Sequence, residues 1–278
     1  MCIVSVIIPY FNSAQTLLRT LDSVRMQTFK DFEIILINDG STDQSEDIVN
    51  DYFQKFNDLR YTHLRQVNQG PSEARNKGIY HSSGEYIAFL DSDDSWEPHK
   101  LEIQIEFMEK HPEVAISGTN CYVVAESRRI KFPSDPPLIK ARFYRLLFKV
   151  LFLTPTVVIR REVFFQGGLW FNTGKKHAED LLLFLQIVRR YRGVRLSKPL
   201  ASIYKREYGE SGLSADLPKL LYNEIDNLVI LRSENDKQQQ TKISLGLYII
   251  LFIYSYSKHC KRTIRTWLCK RRLQNFLR

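Results

Sequence analysis

The chain opens with an apolar run followed by a helix-like segment, and this pattern occurs four times within about 110 residues. The predicted strands lie at residues 3–9, 32–38, 60–66 and 86–90, and the helices are predicted at residues 17–24, 45–56, 71–81 and 98–110. Near-continuous apolar runs, rather than alternating ones, are typical of strands that helices cover on both faces. The pattern therefore predicts an α/β fold built on a mostly parallel, doubly wound central sheet flanked by helices.

The second half of the chain is less regular. It predicts strands at residues 115–124, 156–160 and 194–204 and helices at residues 181–190 and 219–235, with a proline-marked loop at 133–137. Residues 237–240 are polar and predict a short linker to a helical, basic tail.

The net charge of +9 is concentrated in that tail. Residues 237–278 contain ten Lys and Arg and no Asp or Glu, whereas the rest of the chain has 30 basic and 31 acidic side chains. A neutral body argues against a large nucleic-acid-binding face, and a basic tail favours contact with an anionic membrane. The tail's apolar stretch, residues 243–257, spans only about 23 Å as a helix, against about 30 Å for a bilayer core. Packing on the domain and shallow membrane insertion both remain open.

Cysteine usage and the N-terminus bear on location. Four cysteines without a CxxC pair favour a reducing compartment, and the first residues show no secretory signal. We therefore expect a cytoplasmic protein, peripheral on the inner face of the cell membrane.

Polar residues follow each predicted strand, where open α/β sheets bind their ligands. Asp91 and Asp93 follow the fourth strand, and strand alternation would point both carboxylates to one side. Two carboxylates held close together favour a divalent cation between them, and Mg²⁺ bound to substrate phosphates is a typical occupant. A polar turn that caps the next helix is the alternative interpretation.

Three further candidates are weaker when taken singly. Asp39, in the turn after the second strand, could accept a hydrogen bond from a nucleobase. Arg75 could reach a base or phosphate, or be an ordinary surface arginine. The pair Glu179 and Asp180 could complement a helix dipole, or Asp180 could be a general base that faces the nucleotide.

Missing motifs narrow the choice of function. The chain has no GxGxxG after the first strand, no GxxxxGK[ST] and no GxSxG. A common dinucleotide fold, a P-loop NTPase and an α/β-hydrolase are therefore disfavoured.

Taken together, five segments resemble the inverting family-2 glycosyltransferases of the GT-A fold. They are VSVIIPYFN at residues 4–12, SVRMQT at 23–28, NDGSTD at 38–43, NQGPSEARN at 68–76 and GEYIAFLDSDD at 84–94. The resemblance is close over residues 3–100, extends to about residue 205 and stops there.

The resemblance implies a role for each candidate residue. Pro9, Phe11 and Asp39 would flank the base of a nucleotide-sugar donor, usually a UDP-sugar, and Arg75 would help to hold the nucleotide. Asp93 would be the chief ligand of Mg²⁺ or Mn²⁺, Asp91 would lie near the ribose or the metal, and Asp94 would be a possible third participant. Asp180, in the Glu179–Asp180 pair, would be the catalytic base.

The resemblance also implies an activity and a division of the chain. One sugar would pass to a hydroxyl of a glycan or lipid-linked acceptor in cell-surface polysaccharide synthesis, because the QxxRW motif and membrane spans of polymer-forming relatives are missing. Residues 1–110 would form the nucleotide-sugar-binding half, 111–236 the acceptor-binding half and 237–278 the tail. A sugar-1-phosphate nucleotidyltransferase and an inactive, membrane-associated binding protein are the alternatives.

Overall fold

We describe a computed structural model of the chain for residues 2–125, 128–131, 136–175, 177–204, 216–234 and 241–276. The predicted linker at residues 237–240 and part of the proline-marked loop lie outside these residues.

The first half forms the predicted parallel layer. Its strands are β1 (Val4–Tyr10), β2 (Phe32–Asn38), β3 (Tyr61–Arg65) and β4 (Tyr86–Phe89), and they lie in the order β3-β2-β1-β4. All three pairings among them are parallel, so their carboxyl ends meet at one edge. This part of the sheet confirms the α/β prediction.

Helices cover both faces of this layer. The helices are α1 (Leu17–Arg25), α2 (Ser45–Lys55), α3 (Pro71–Tyr80) and α4 (Lys100–Lys110). Helices α1, α2 and α4 pack on one face, against β1 residues such as Val6 and Ile8, and α3 packs on the other, against Ile7. Burial on both faces explains why β1, β2 and β4 are nearly continuous apolar runs, whereas β3 at the end of the sheet order is more exposed and more polar.

The second half adds mixed pairings to the same sheet. The order continues from β4 through β9 (Val158–Arg160), β6 (Val114–Ala125) and β10 (Arg192–Tyr204) to β5 (Ser95–Trp96). β9 is antiparallel to both of its neighbours, whereas β6 and β10 are parallel to each other. β7 (Arg128–Lys131) and β8 (Leu138–Ala141) pair antiparallel with β6 and β10.

Helix α7 (Glu179–Arg190) joins α3 on its face of the sheet. Two short helices, α5 (Phe143–Phe148) and α6 (Glu162–Phe165), complete this layer. α7 begins at Glu179 and Asp180, the carboxylate pair identified in the sequence. The N-terminus of this helix therefore places the two acids at the sheet edge.

The C-terminal helices are α8 (Leu217–Ser233) and α9 (Leu245–Phe276). Leu228, Leu231 and Leu251 are buried in the same core as α7, so both helices pack on the domain. Lys258 and Arg262 of α9 form ion pairs with Glu224 of α8. Over the described residues, none of the helices combines the length and the apolar character that a bilayer crossing needs.

Candidate active site

The candidate site lies at the edge where the parallel strands end. Backbone hydrogen bonds join its loops, since Asp39 N donates to Tyr10 O and Gln66 N donates to Asn38 O. Pro9 is partly buried within β1, and the side chain of Phe11 is 47% exposed just beyond it. The structure therefore places Pro9, Phe11 and Asp39 together at the mouths of β1 and β2.

Asn12 fixes the loop that follows β1. It adopts a positive φ of 49°, which asparagine tolerates better than most residues. Its backbone N–H donates to Ser41 Oγ, and its side-chain Oδ1 accepts from Thr42 N at 2.8 Å. Two loops that are distant in sequence are thus held in one arrangement.

Asp39 is buried and organises the start of α3. Its Oδ1 accepts from Gln66 Nε2 and Gln69 N, both at 2.8 Å, and its Oδ2 accepts from Gly70 N at 2.9 Å. Gly70 has φ 92° at the N-cap of α3, a conformation that favours glycine. The carboxylate therefore sets the direction of the helix that carries Arg75.

Arg75 is the electrostatic centre of the site. Its guanidinium is buried and donates at 2.8 Å to Asp91 Oδ1 and at 2.8 Å to Glu179 Oε1. Burial disfavours its charge, but the two carboxylates outweigh that effect and raise the pKa of Arg75. The interpretation of Arg75 as a surface arginine is therefore wrong, and its contacts join the turn after β4 to the start of α7.

Residues 91–94 form a turn rather than an extension of β4. Asp94 N donates to Asp91 O at 3.0 Å, so the argument from strand alternation does not apply to Asp91 and Asp93. The Asp93 side chain is exposed, and Arg19 donates to the Asp93 backbone oxygen at 2.6 Å. Both carboxylates still lie beside the mouth of β4.

Asp94 has a different environment from its neighbours. It is buried and accepts from Tyr204 N at 3.0 Å, which ties the turn to the end of β10. Burial, followed by the charges of Asp91 and Asp93, raises the pKa of Asp94 well above its usual range. The carboxylates of Asp91 and Asp93 are thus close enough to Asp94 to disfavour its ionised form.

Asp180 lies on the other side of Arg75. Its Oδ2 accepts from Thr154 Oγ1 at 3.1 Å and its Oδ1 from Leu181 N at 2.7 Å. Burial and the neighbouring Glu179 raise the pKa of Asp180 to about 6, although Arg75 and these two donors oppose the shift. A carboxylate with such a pKa can accept a proton near neutral pH.

The sequence analysis missed the residues that support this acid. Thr154 belongs to a short 3₁₀ turn (Thr154–Thr156), and Asn227 of α8 donates to Ala178 O at 2.8 Å. Ala178 has a left-handed φ of 53° immediately before α7. No local pattern indicates these contacts, because the partners are 26 and 49 residues apart in sequence.

The donor set of the turn after β4 fits a hard cation. Asp91 and Asp93 offer oxygen atoms only, which suits Mg²⁺ or Mn²⁺. The described part of the chain contains no group of three or more His, Cys, Asp and Glu side chains suited to a metal ion. A bound ion would therefore take one or two carboxylates from the protein and further oxygen atoms from substrate phosphates.

The chain is similar to proteins of known family. The family model described as "Glycosyl transferase family 2" matches residues 5–167. An "Uncharacterized glycosyltransferase" of Rickettsia bellii is 33% identical over 200 residues, which cover 72% of this chain and 28% of that protein. The chain thus spans under a third of the length of that relative. The Escherichia coli protein "UDP-Glc:alpha-D-GlcNAc-diphosphoundecaprenol beta-1,3-glucosyltransferase WfaP" is 31% identical over 259 residues, 93% of this chain and 96% of that protein.

Solved structures share the fold. S. aureus TarS 1-349 in complex with UDP-GlcNAc has a TM-score of 0.72 and 21% identity, covering 92% of this chain and 72% of that chain. The mannosyltransferase PcManGT from Pyrobaculum calidifontis, in complex with GDP-Man and Mn2+, has a TM-score of 0.65 and 18% identity, covering 91% and 73%. The structures support a GT-A fold, and the family model matches more than half of the sequence. The chain therefore belongs to glycosyl transferase family 2.

Proposed function

We propose that the chain is an inverting, metal-dependent glycosyltransferase. It transfers one sugar from a nucleotide sugar, in our proposal a UDP-sugar, to a hydroxyl of a glycan or lipid-linked acceptor in cell-surface polysaccharide synthesis. The observation that carries the proposal is the Asp91–Arg75–Glu179 bridge, with Asp180 beside it. This bridge links the carboxylates proposed for the donor side with the group proposed as the base.

The proposed reaction begins with the acceptor hydroxyl. Asp180 accepts its proton, and the oxygen attacks the anomeric carbon from the face opposite the diphosphate. The bond to the diphosphate breaks and its electron pair leaves with the nucleotide, so an α-linked donor gives a β-linked product. The elevated pKa of Asp180 supports this role, because a base with a pKa nearer to working pH accepts a proton more readily.

In this proposal, Pro9, Phe11 and Asp39 flank the nucleobase of the donor, and Arg75 helps to hold the nucleotide. Asp93 and Asp91 would hold Mg²⁺ or Mn²⁺. That ion would supply Lewis-acid stabilisation of the charge on the leaving diphosphate. The oxygen-only side chains of this turn support the proposal, as does the Mn2+ present with GDP-Man in PcManGT.

The tail supports a membrane-side location. The WfaP name describes a diphosphoundecaprenol acceptor, which is a lipid-linked substrate. On α9 the exposed side chains of Ile249, Phe252, Ile253 and Tyr256 lie on one side of the helix, opposite the buried Leu251 and Ser255. In our proposal this side rests on the anionic inner face of the cell membrane, which would bring the site to a lipid-linked acceptor.

The proposal is tested by comparing Asp180→Asn and Asp93→Asn with the unchanged protein. The assay measures sugar transfer and UDP release over a panel of UDP-sugars and acceptors with Mn²⁺, and calorimetry measures UDP binding. We expect Asp180→Asn to retain UDP binding and to lose transfer by about 10²-fold or more. We expect Asp93→Asn to lose both transfer and Mn²⁺-dependent UDP binding. Asp51→Asn, on the exposed side of α2, is the matched control.

Four outcomes would contradict the proposal. Full transfer by Asp180→Asn would remove the assigned base, and metal-dependent UDP binding by Asp93→Asn would remove the metal ligand. Release of pyrophosphate from a sugar phosphate and a nucleoside triphosphate would identify a nucleotidyltransferase instead. Binding of UDP-sugars without any turnover would identify an inactive binding protein.

A further inference from the structure

The loop between α6 and α7 leads directly into the carboxylate pair at the start of α7, and it is held from two sides. On one side, α3 contacts the loop through Asn76, which exchanges two hydrogen bonds with the backbone of Phe171, at 2.8 and 3.0 Å. Ser72 of the same helix donates to Lys175 O at 2.9 Å. Helix α3 also carries Arg75, so these contacts and the site share one rigid support.

On the other side, α8 contacts the loop through two adjacent residues. Lys175 is buried, and its ammonium forms an ion pair with Asp226. Asn227, which is 1% exposed, donates from Nδ2 to the carbonyl oxygen of Ala178 at 2.8 Å. Contacts from two consecutive residues of one helix therefore hold Lys175 and Ala178, shortly before Glu179.

Ala178 needs this support because its backbone is strained. A left-handed φ of 53° is disfavoured for a residue with a Cβ, and alanine has no side-chain oxygen or nitrogen to compensate. The same carbonyl oxygen that Asn227 binds also accepts from Leu182 N, the first bond of α7. The conformation of Ala178 thus sets how α7 begins, and so where Glu179 and Asp180 lie.

We propose that Asn227 is a positioning residue for the catalytic base: its hydrogen bond holds Ala178 in the left-handed conformation that places Asp180 beside Arg75. This inference rests on the proposed function for the role of Asp180, but the restraint on Ala178 does not. Asn227 lies beyond residues 5–167, which the family model matches.

The test begins with a readout that does not depend on activity. Amide hydrogen exchange is followed at residues 178–182 in the unchanged protein and in Asn227→Ala, with Asn50→Ala on exposed α2 as the matched control. We expect Asn227→Ala to increase exchange there by about tenfold or more and Asn50→Ala to change nothing. Unaltered protection in Asn227→Ala would overturn the proposal.

The same variants are then compared in the transfer assay. We expect Asn227→Ala to lower kcat by about 10- to 100-fold with little change in UDP-sugar KM, because a displaced base slows the reaction without affecting donor contacts. Loss of protection without any fall in kcat would overturn the positioning role. Full activity of Asp180→Asn would instead refute the base assignment, whatever the exchange result.

A second-site variant separates positioning from general destabilisation. Glycine adopts a left-handed φ without strain, so Ala178→Gly removes the need for the restraint. We expect the fold-reduction in kcat caused by Asn227→Ala to be at least threefold smaller in the Ala178→Gly background than in the otherwise unchanged protein. Equal costs in both backgrounds would overturn the proposal. If Asn227→Ala does not fold, Asn227→Ser, whose shorter side chain falls short of Ala178 O, replaces it in every comparison.

Discussion

Asp180, the base in our proposal, would serve the reaction at a cost to the fold. It lies in a low-dielectric environment next to Glu179, and both features favour its protonated form. An ordinary surface aspartate would be ionised throughout the physiological range but would be a weaker base. The site therefore maintains an unfavourable charge at the position where we place proton transfer.

The pH dependence of transfer should report this environment. Asp180 must be ionised to accept a proton, and its pKa of about 6 places the acidic limb of kcat/KM near that pH rather than near 4. We expect kcat/KM to fall about tenfold for each pH unit below about 6, and the residual activity of Asp180→Asn to lack this limb. A wild-type profile that stays flat down to about pH 5 would contradict the assignment.

The same shift predicts an effect on stability. A carboxyl whose pKa is higher in the folded state binds its proton more tightly when folded, so its contribution to stability is greatest at low pH and is lost as pH rises through about 6. We expect Asp180→Asn to raise the free energy of unfolding by about 1–2 kcal/mol at pH 8, a few degrees in Tm, and by less at pH 4.5. Thermal unfolding at pH 8 and at pH 4.5, with Asp51→Asn as the control, measures this change in stability. An equal change at the two pH values would show that the increase in stability has another cause.

At this scale the sequence predicted the main acids and Arg75 but not their supports. Asp39 and Asp91 were identifiable because they directly follow strands, and parallel strands bring those ends together. Arg75 was identifiable only as a basic residue near the start of the helix that follows β3. Thr154 and Asn227 were not, because a threonine in a turn and an asparagine within a helix carry no local sign of what they contact. Strand alternation failed for Asp91 and Asp93 because Asp94 closes a turn within four residues.

At the scale of elements, α3 packs tightly on the sheet at Gly78. A Cβ placed on Gly78 would lie 2.5 Å from Ile7 Cγ2 and 2.9 Å from Ile37 Cδ1, distances that real side chains do not adopt. Glycine is therefore required for α3 to pack against β1 and β2 at this spacing. The helix carries Arg75 three residues earlier, so this packing also fixes the depth of the guanidinium.

Gly78→Ala should therefore reduce stability even though alanine is the better helix former. We expect overpacking to outweigh the gain in helix propensity and to lower the free energy of unfolding by about 1–2 kcal/mol. Chemical denaturation measures the free energy of unfolding. Gly246→Ala is the control, because a Cβ at Gly246 would have no heavy atom within 4 Å. A Gly78→Ala protein as stable as Gly246→Ala would show that the two isoleucines move aside freely.

The helices and strands of the first half lie close to the positions predicted from the sequence, whereas those of the second half match the prediction only in part. Helices α2 and α3 begin at residues 45 and 71, where the sequence predicts them. The strands β5 and β8 and the helix α6 were not predicted, because two to four residues are too few to show a period. Their conformation depends on partners that are remote in the chain, such as the pairing of β5 with β10.

At the scale of the whole molecule, the tail both joins the core and presents an outer surface. Two basic residues of the tail, Lys258 and Arg262, form ion pairs with Glu224 of α8. Once the buried face is known, eight exposed side chains fall on the opposite side of α9: Leu245, Ile249, Phe252, Ile253, Tyr256, Cys260, Ile264 and Trp267.

This stripe gives the membrane proposal a direct test. Ile249, Phe252 and Ile253 are each 42–61% exposed, so replacing all three by serine removes apolar surface without opening the core. At about 1 kcal/mol for each partly inserted side chain, we expect affinity for phosphatidylglycerol vesicles to fall about 100-fold. The control replaces three exposed apolar residues elsewhere, Met26, Tyr80 and Tyr222, by serine and should bind vesicles like the unchanged protein.

Two further measurements separate membrane attachment from other uses of the stripe. UDP binding should be the same in both triple variants, because α9 packs against α5 and α8 and its three replaced side chains are exposed. Sedimentation without vesicles should show the same oligomeric state for both. If the α9 variant changed oligomeric state while vesicle binding stayed the same, the stripe would be a contact between copies of the chain. The membrane role would then be wrong, and a lipid-linked acceptor would have to reach the site by another route.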